Sequence, residues 1–439
     1  MKRFSMILFA AAFAAFGVQA ADSLTMADFG HSIKLQVNGY TGSETLQNFP
    51  VLVRISESGI PGFRYSDLSN SKGLDIAFFD AAGNHLASEI QTNSWKATDN
   101  ESQAWVLLPE MTQGTKFYMC YNTSASGVWV TNANPWTEYV GVWHLDEKGG
   151  TSKPVYDSTT NALNGITSAK GSPAVYAEGK VGKARRIATD TSNNPGYDSG
   201  ITVDLTDAAK RTAVDTLAPQ FTASFWYRPE AASANYEYLL GRKNADSYSA
   251  WALQFGKNEA STWSQIRVYG ANGGSFANSA TTGDADTEGV YIPAGGQGQW
   301  HKMDCVWTFD KKYHLYADGV LVAEGALSGN KNAANGNLNL SIGGALAPAS
   351  GKGGRGFNGE MDEVRVRVGT RSADWIKADY DTVNNASFVI VAPPDILMIA
   401  WANASGATPG VSGTTYNSAT FGGTVQSLGE AASCDIEYK

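Results

Sequence analysis

Cysteine is scarce in this chain: Cys120, Cys305 and Cys434 among 439 residues. An odd count, with each thiol in a separate apolar or alternating segment (FYMCY, DCVW, SCDIEY), argues against a disulfide framework. Small buried hydrophobes are the expected role. The five histidines show no zinc spacing with cysteine. G-x-S-x-G, H-E-x-x-H and P-loop patterns are absent, which leaves the common hydrolase and nucleotide chemistries without a motif. Charged residues make up only 17% and the net charge is -9 with no basic block, so nothing points to nucleic acid. Beyond the N-terminus no run approaches the roughly 20 apolar residues of a membrane span, and long amphipathic helical patterns are hard to find.

The chain is instead rich in glycine, with 47 residues, and in aromatics, at 11%. Short alternating runs separated by turn residues predict an all-β protein. Met1 to Ala20 reads as a secretory signal: Lys2 and Arg3, an apolar stretch from Met6 to Val18, and small residues before a cut at Ala21. The expected location is secreted, periplasmic or cell-surface. Residues 21–136 carry strand patterns at Ile33 to Val37, Asn48 to Ile55, Gly73 to Phe79, Ala87 to Ile90, Ala104 to Leu108 and Lys116 to Tyr121, the signature of a sandwich. Residues 393–439 open on Pro393-Pro394 and hold strand patterns at Ile396 to Ala402, Thr414 to Phe421 and Cys434 to Tyr438. So short a segment is expected to be a truncated, immunoglobulin-like β piece.

Between them lies a series of phrases: VGVWHL from Val140, D-S-T-T-N from Asp157 to Asn161, GKVGKARRI from Gly179, FTASFWYRP from Phe221, and WHKMDCVWTFDKKYHLYADGVLV from Trp300. The last phrase is GEMDEVRVRVGTRSADWIKADY, from Gly359 to Tyr380. In this order the phrases resemble the laminin-G-like jellyroll of the concanavalin A-like superfamily over residues 137–392. The phrases of the first module, NFPVLVRI to FYMCYN, resemble a bacterial domain of unknown function that recurs before such modules. The resemblance implies two consecutive antiparallel β-sandwich (jellyroll) domains and a short C-terminal β segment. In the central strand Ala223, Phe225 and Tyr227 alternate with Ser224, Trp226 and Arg228, and in the hairpin Tyr313 and Leu315 oppose His314 and Tyr316, as a sandwich requires.

In the last phrase, alternation places Asp362, Val364, Val366 and Val368 on one face and Glu363, Arg365 and Arg367 on the other; Ala373 to Tyr380 is expected to be a short helix. Glu360 and Asp362 then share the apolar face with Val364 and need a metal, donors or a shared proton. Related jellyrolls hold structural calcium near this seam, so Asp157, Asn161 and Asp362 are the expected calcium ligands. The same residues would also serve as a turn cap and a hydrogen-bond acceptor. Laminarinase-type glycosidases of the same fold class carry a further acid on this strand, where Val364 and Arg365 stand here. Catalysis is therefore not expected. Tyr236, Tyr238, Tyr248, Trp251 and Trp263 cluster around the insert from Arg228 to Ala250; Tyr236, Tyr248, Trp251 and Trp263 are the candidate sugar-stacking rings. The expected function is non-catalytic binding of a polysaccharide or cell-surface glycan. A structural or adhesive spacer is the alternative.

Overall fold

A computed structural model describes residues 24–393, apart from 96–100, 124–129, 168–174, 188–199, 231–236, 244–248, 258–263, 271–278, 293–297, 327–338, 347–352 and shorter breaks, together with 410–415 and 418–422. The signal segment and Cys434 lie outside these residues. The chain divides into two compact units, Met1–Val391 and Ala392–Lys439. In the second, Gly410–Thr415 and Ser418–Gly422 pair antiparallel as a hairpin, where sequence alternation predicts one strand from Thr414 to Phe421.

The first unit begins with a sandwich. One sheet runs, in spatial order, Val389–Val391, Phe29–Val37, Lys116–Thr123, Ala77–Asp80 and His85–Leu86; the other runs Leu46–Ile55, Ser102–Met111 and Ser88–Ile90. Leu35, Val51, Val53, Phe78, Phe117 and Met119 fill the space between them. The run Val51-Leu52-Val53 is apolar without alternation because both faces of its sheet are covered. Cys120 is buried and free, as the apolar phrase around it predicts.

The second sandwich follows. Among the described residues an eight-stranded sheet carries Tyr139–Trp143, Lys183–Ile187, Gly359–Val368, Phe221–Pro229, His301–Trp307 and Lys312–Ala317. A nine-stranded sheet, which includes Ile201–Val203, Glu237–Lys243 and Leu340–Ile342, packs on it. Ala223, Phe225, Tyr227, Cys305, Tyr313 and Leu315 meet Ile201, Leu240 and Ile342 in the core. Trp226, Val306 and Tyr316 point the other way, as alternation demands. The fold is thus all-β, built from antiparallel sheets, with the jellyroll sandwich as its larger part. A helix not read from the sequence, Ala208–Asp215, lies in this part; Asp207 caps it by accepting from the Lys210 N–H at 2.9 Å.

The outward face of the eight-stranded sheet is not solvated. The first sandwich and the helix Ala373–Asn384 cover it. That helix outruns its expected end at Tyr380 because Thr382 and Val383 find burial. Ser372 caps its start, and Asp374 accepts from the N–H groups of Ser43 and Glu44 at 2.9 and 3.1 Å. Along its far end the helix closes the free edge of Leu46–Ile55. The Leu52 N–H donates to the Thr382 hydroxyl at 2.9 Å, and the Arg54 guanidinium donates to the carbonyls of Thr382 and Val383. Thr382→Val keeps the shape and removes the acceptor from a buried N–H. A loss of about 1–3 kcal/mol in urea unfolding is expected.

Candidate functional site

The strand Gly359–Val368 organises both the junction and the site. Its partner strand advances from Ser224 to Trp226 while it advances from Arg365 back to Asp362, so one extra residue is accommodated. Glu363 takes up that residue with φ 51°. This bulge corrects the alternation read from sequence: Met361, Val364 and Val366 enter the core, while Asp362 does not share the face of Val364. Asp362 lies beside Trp226, and Glu363 bonds into the junction with the first sandwich.

A buried ionic network results. His144 places Nδ1 2.7 Å from Glu363 and Nε2 3.2 Å from Glu89 of the first sandwich. Arg365 donates to Glu363 at 2.6 Å and to Asp379 of the closing helix at 3.2 Å. Its guanidinium stacks 4.1 Å over Trp105 and 4.9 Å over Trp136. Lys302 reaches both Asp304 and Asp379. Burial works against the imidazolium, but Glu363 and Glu89 outweigh it and hold the His144 pKa well above the ordinary histidine value. Burial likewise works against ionised Glu363 and Asp379, yet the cations beside them hold both below the usual carboxylate range. Burial pushes Asp304 up to about 6, against the pull of Lys302. This network is buried except at Glu89, whose side chain is 29% exposed, and it ties the two sandwiches together.

The open feature lies where the first and last jellyroll strands end together. Tyr139 pairs with Arg367 across the seam. Glu138, Tyr139, Val140, Asn161, Thr216 and Arg367 line a cleft of 510 Å³, with Arg371 at its wall. Glu138 accepts from Arg367, from Arg371 at 2.7 Å and from the Asn48 amide at 2.6 Å. Two guanidinium groups thus share one carboxylate. The Tyr139 hydroxyl, Arg367 Nε and Nη1, and Arg371 Nε are buried with no hydrogen-bond partner among the described residues.

The three expected calcium ligands occupy different environments. Asp157 accepts four hydrogen bonds: Oδ1 takes the N–H groups of Val142 and Thr159, each at 2.9 Å, and Oδ2 takes the Leu163 N–H at 2.8 Å and the Thr159 hydroxyl at 2.7 Å. Asn161 donates its amide to the Val140 carbonyl at 2.9 Å and borders the cleft. Asp362 accepts the Lys180 and Val181 N–H groups at 2.7 and 2.8 Å under the turn that Gly179 and Gly182 form. A side chain at Gly179 would bring its Cβ within 2.7 Å of that carboxyl, which explains the glycine in the GKVGK phrase. Burial, then the neighbouring Glu363, pushes Asp362 well above the ordinary carboxylate range. The Asp157 oxygens, already taken by four protein donors, have little left for a calcium ion, whereas Asp362 keeps both of its donors on Oδ2 and leaves Oδ1 without a partner among the described residues. Among the described residues no group of three or more His, Cys, Asp or Glu is disposed to hold a metal. Melting with EDTA and then with added calcium tests the expected calcium: a drop of several degrees restored by calcium would support it, and an unchanged melting temperature would count against it.

Glu360 forms a two-pronged ion pair with Arg228, at 2.9 and 3.0 Å, and Arg228 stacks 5.2 Å from the Trp300 ring centroid. Of the candidate sugar-stacking rings, Trp251 is a correction. It is 2% exposed and packs on Phe221 and Trp307 in the core, so it presents no face to a sugar. Tyr236, Tyr248 and Trp263 lie outside the described residues. Tyr139, Glu138, Arg367 and Arg371, which line the cleft, were not singled out by sequence reasoning.

Residues 196–377 match the family model of the concanavalin A-like lectin/glucanases superfamily. Several solved structures resemble the chain at low identity. The binding domain of Paraclostridial Mosquitocidal Protein 1 is 14% identical with TM-score 0.38, covering 56% of this chain and 53% of its own. Domain 4 of AbnA, a GH43 extracellular arabinanase from Geobacillus stearothermophilus solved with arabinotriose, is 18% identical with TM-score 0.34, covering 53% of this chain and 99% of its own. The native heptameric SAP-like pentraxin from Limulus polyphemus is 14% identical with TM-score 0.28, covering 37% of this chain and 69% of its own. The chain thus spans about half the length of the mosquitocidal binding domain. No curated protein matches. Among the described residues no helix is long and apolar enough to cross a membrane.

Proposed function

We propose that this chain is an exported, non-catalytic glycan-binding protein that uses its jellyroll to hold a polysaccharide or cell-surface glycan. The observation that carries this reading is the match of residues 196–377 to a lectin and glucanase family model. The chemistry of the closing strand favours binding over hydrolysis: Glu360 is engaged by Arg228, and Asp362 is sealed beneath backbone N–H donors. A retaining glycosidase needs a free carboxyl pair about 5–5.5 Å apart in an open groove. The signal pattern at Met1 to Ala20 supports export, and the first module's phrases resemble a bacterial domain that recurs before such jellyrolls. The test is co-sedimentation of the full chain with a panel of insoluble polysaccharides, with and without EDTA. Depletion by at least one polysaccharide, unaltered by EDTA, is expected.

A second reading has its own support. The buried network from Glu89 through His144, Glu363 and Arg365 to Asp379 makes two sandwiches into one stiff body, a property suited to a spacer in a surface assembly. Failure to sediment with any polysaccharide would favour this spacer reading.

A further inference from the structure

The outer face of the nine-stranded sheet ends on a small platform that the general lectin reading does not use. The strands Pro154–Val155 and Gly165–Thr167 form that end, antiparallel, with Gly165 opposite Val155 and Ile166 opposite Pro154. Val155 and Gly165 are buried, Val155 within the jellyroll core, so the residues beside them alternate to the other face. Pro154, Tyr156, Asn164 and Ile166 are accordingly all exposed. Tyr156 is 55% exposed and Ile166 49%; among the described residues Tyr156 is the one aromatic ring in the set of exposed large apolar side chains. Single exposed apolar residues are ordinary, but a ring beside a proline and an isoleucine makes a continuous surface.

The platform is held in place on both strands. The Tyr156 N–H donates to Glu147 at 2.5 Å, and the next residue, Asp157, accepts four hydrogen bonds. The Thr167 hydroxyl accepts from the Lys153 N–H and donates to the Gly150 carbonyl, each at 2.8 Å. Continuing the register places Asn164 across from Tyr156. Asn164 Oδ1 accepts the Asp157 N–H at 2.9 Å, which leaves the amide nitrogen of this exposed residue without a partner among the described residues. None of the four side chains is charged. A fixed ring, an apolar flank and a free amide donor suit a neutral sugar, which lays its C–H face on a ring and offers hydroxyls to a polar group at the side.

We infer that Pro154, Tyr156, Asn164 and Ile166 form a stacking platform for a neutral saccharide, with the Tyr156 ring against one sugar ring and the Asn164 amide donating to a hydroxyl. The inference rests on the glycan-binding reading and adds both a place and a ligand class to it. Binding transfers no atoms. Because no ion pair forms, affinity is expected to be insensitive to salt.

The experiment is co-sedimentation of the full chain with insoluble cellulose, xylan and curdlan, and with a pectate gel as the acidic control. Three variants accompany it: Tyr156→Ala removes the ring, Ile166→Asp puts a charge into the flank, and Tyr156→Trp keeps a ring. Both positions are exposed, and unchanged circular dichroism shows that each variant is folded. The expected result is binding to at least one neutral polysaccharide, weakened about tenfold by Tyr156→Ala and by Ile166→Asp. Binding should survive in Tyr156→Trp and at high salt. Neutral polysaccharide binding that Tyr156→Ala does not alter, or binding to pectate alone, would overturn the platform and leave the glycan-binding reading standing elsewhere on the molecule. Self-association of the free chain that Tyr156→Ala abolishes would give the face to a second copy and overturn the saccharide assignment. If no polysaccharide sediments the protein, both readings fall.

Discussion

Arg365→Leu should lower the unfolding free energy of the first unit by about 3–5 kcal/mol, the range for removing one partner of a buried ion pair. Arg365 lies between Glu363 at 2.6 Å and Asp379 at 3.2 Å, and each of the three side chains is at most 3% exposed. Leucine would leave Glu363 and Asp379 buried without the guanidinium between them, each with one cation fewer than before. It would also leave the Trp105 and Trp136 rings without the cation that lies over them. Urea unfolding followed by tryptophan fluorescence reads the loss directly, because both rings report on the junction. If the single variant unfolds within 1 kcal/mol of the wild type, the network contributes nothing net to the junction.

His144→Leu should be the second severe change, again about 3–5 kcal/mol near pH 6, and its size should depend on pH. The folded pKa of His144 is raised. Its contribution is therefore fully present below the unfolded value of about 6.5 and is lost as pH rises through the folded pKa. Its carboxylate partners behave in the opposite sense. Burial is overcome by the imidazolium, and both Glu89 and Glu363 are held below the usual range. Their contribution is present above the unfolded value of about 4.3 and is lost as pH falls through the folded pKa values. The stability gap between wild type and variant should therefore be widest between about pH 4.3 and 6.5 and narrow on either side. A gap independent of pH from 4 to 9 would mean that His144 acts as a shape, not as a charge.

The sheet architecture was legible because alternation of polar and apolar residues records which face is buried. Ala223, Phe225 and Tyr227 against Trp226 is such a record, and so is Tyr313 with Leu315 against Tyr316. The site was less legible. Alternation assumes one residue per step, and the bulge at Glu363 adds a residue without leaving a glycine to mark it. A polar face also normally signals solvent, whereas Glu363, Arg365 and Arg367 are buried by residues over two hundred positions earlier and by the helix that follows them. Trp251 was misplaced for a related reason: an aromatic beside a long insert has the same local pattern whether it faces a ligand or a core. The cleft itself draws Glu138, Asn161, Thr216 and Arg367 from four separate segments, and no local motif records that proximity.

The pairing of Leu35, Gln36 and Val37 with Val391, Ile390 and Val389 has a bearing on biosynthesis. The outermost strand of the first sheet is encoded after the whole second sandwich. While ribosomes are still making the middle of the chain, the first sandwich has an open edge, and Leu46–Ile55 lacks the Thr382 hydroxyl that will close its own. Completion must wait until about 350 further residues have emerged. Contacts of such sequence separation form slowly compared with local ones. The early strands can gather beforehand, but the first sandwich gains its last strand and its closing helix only after both have been delivered.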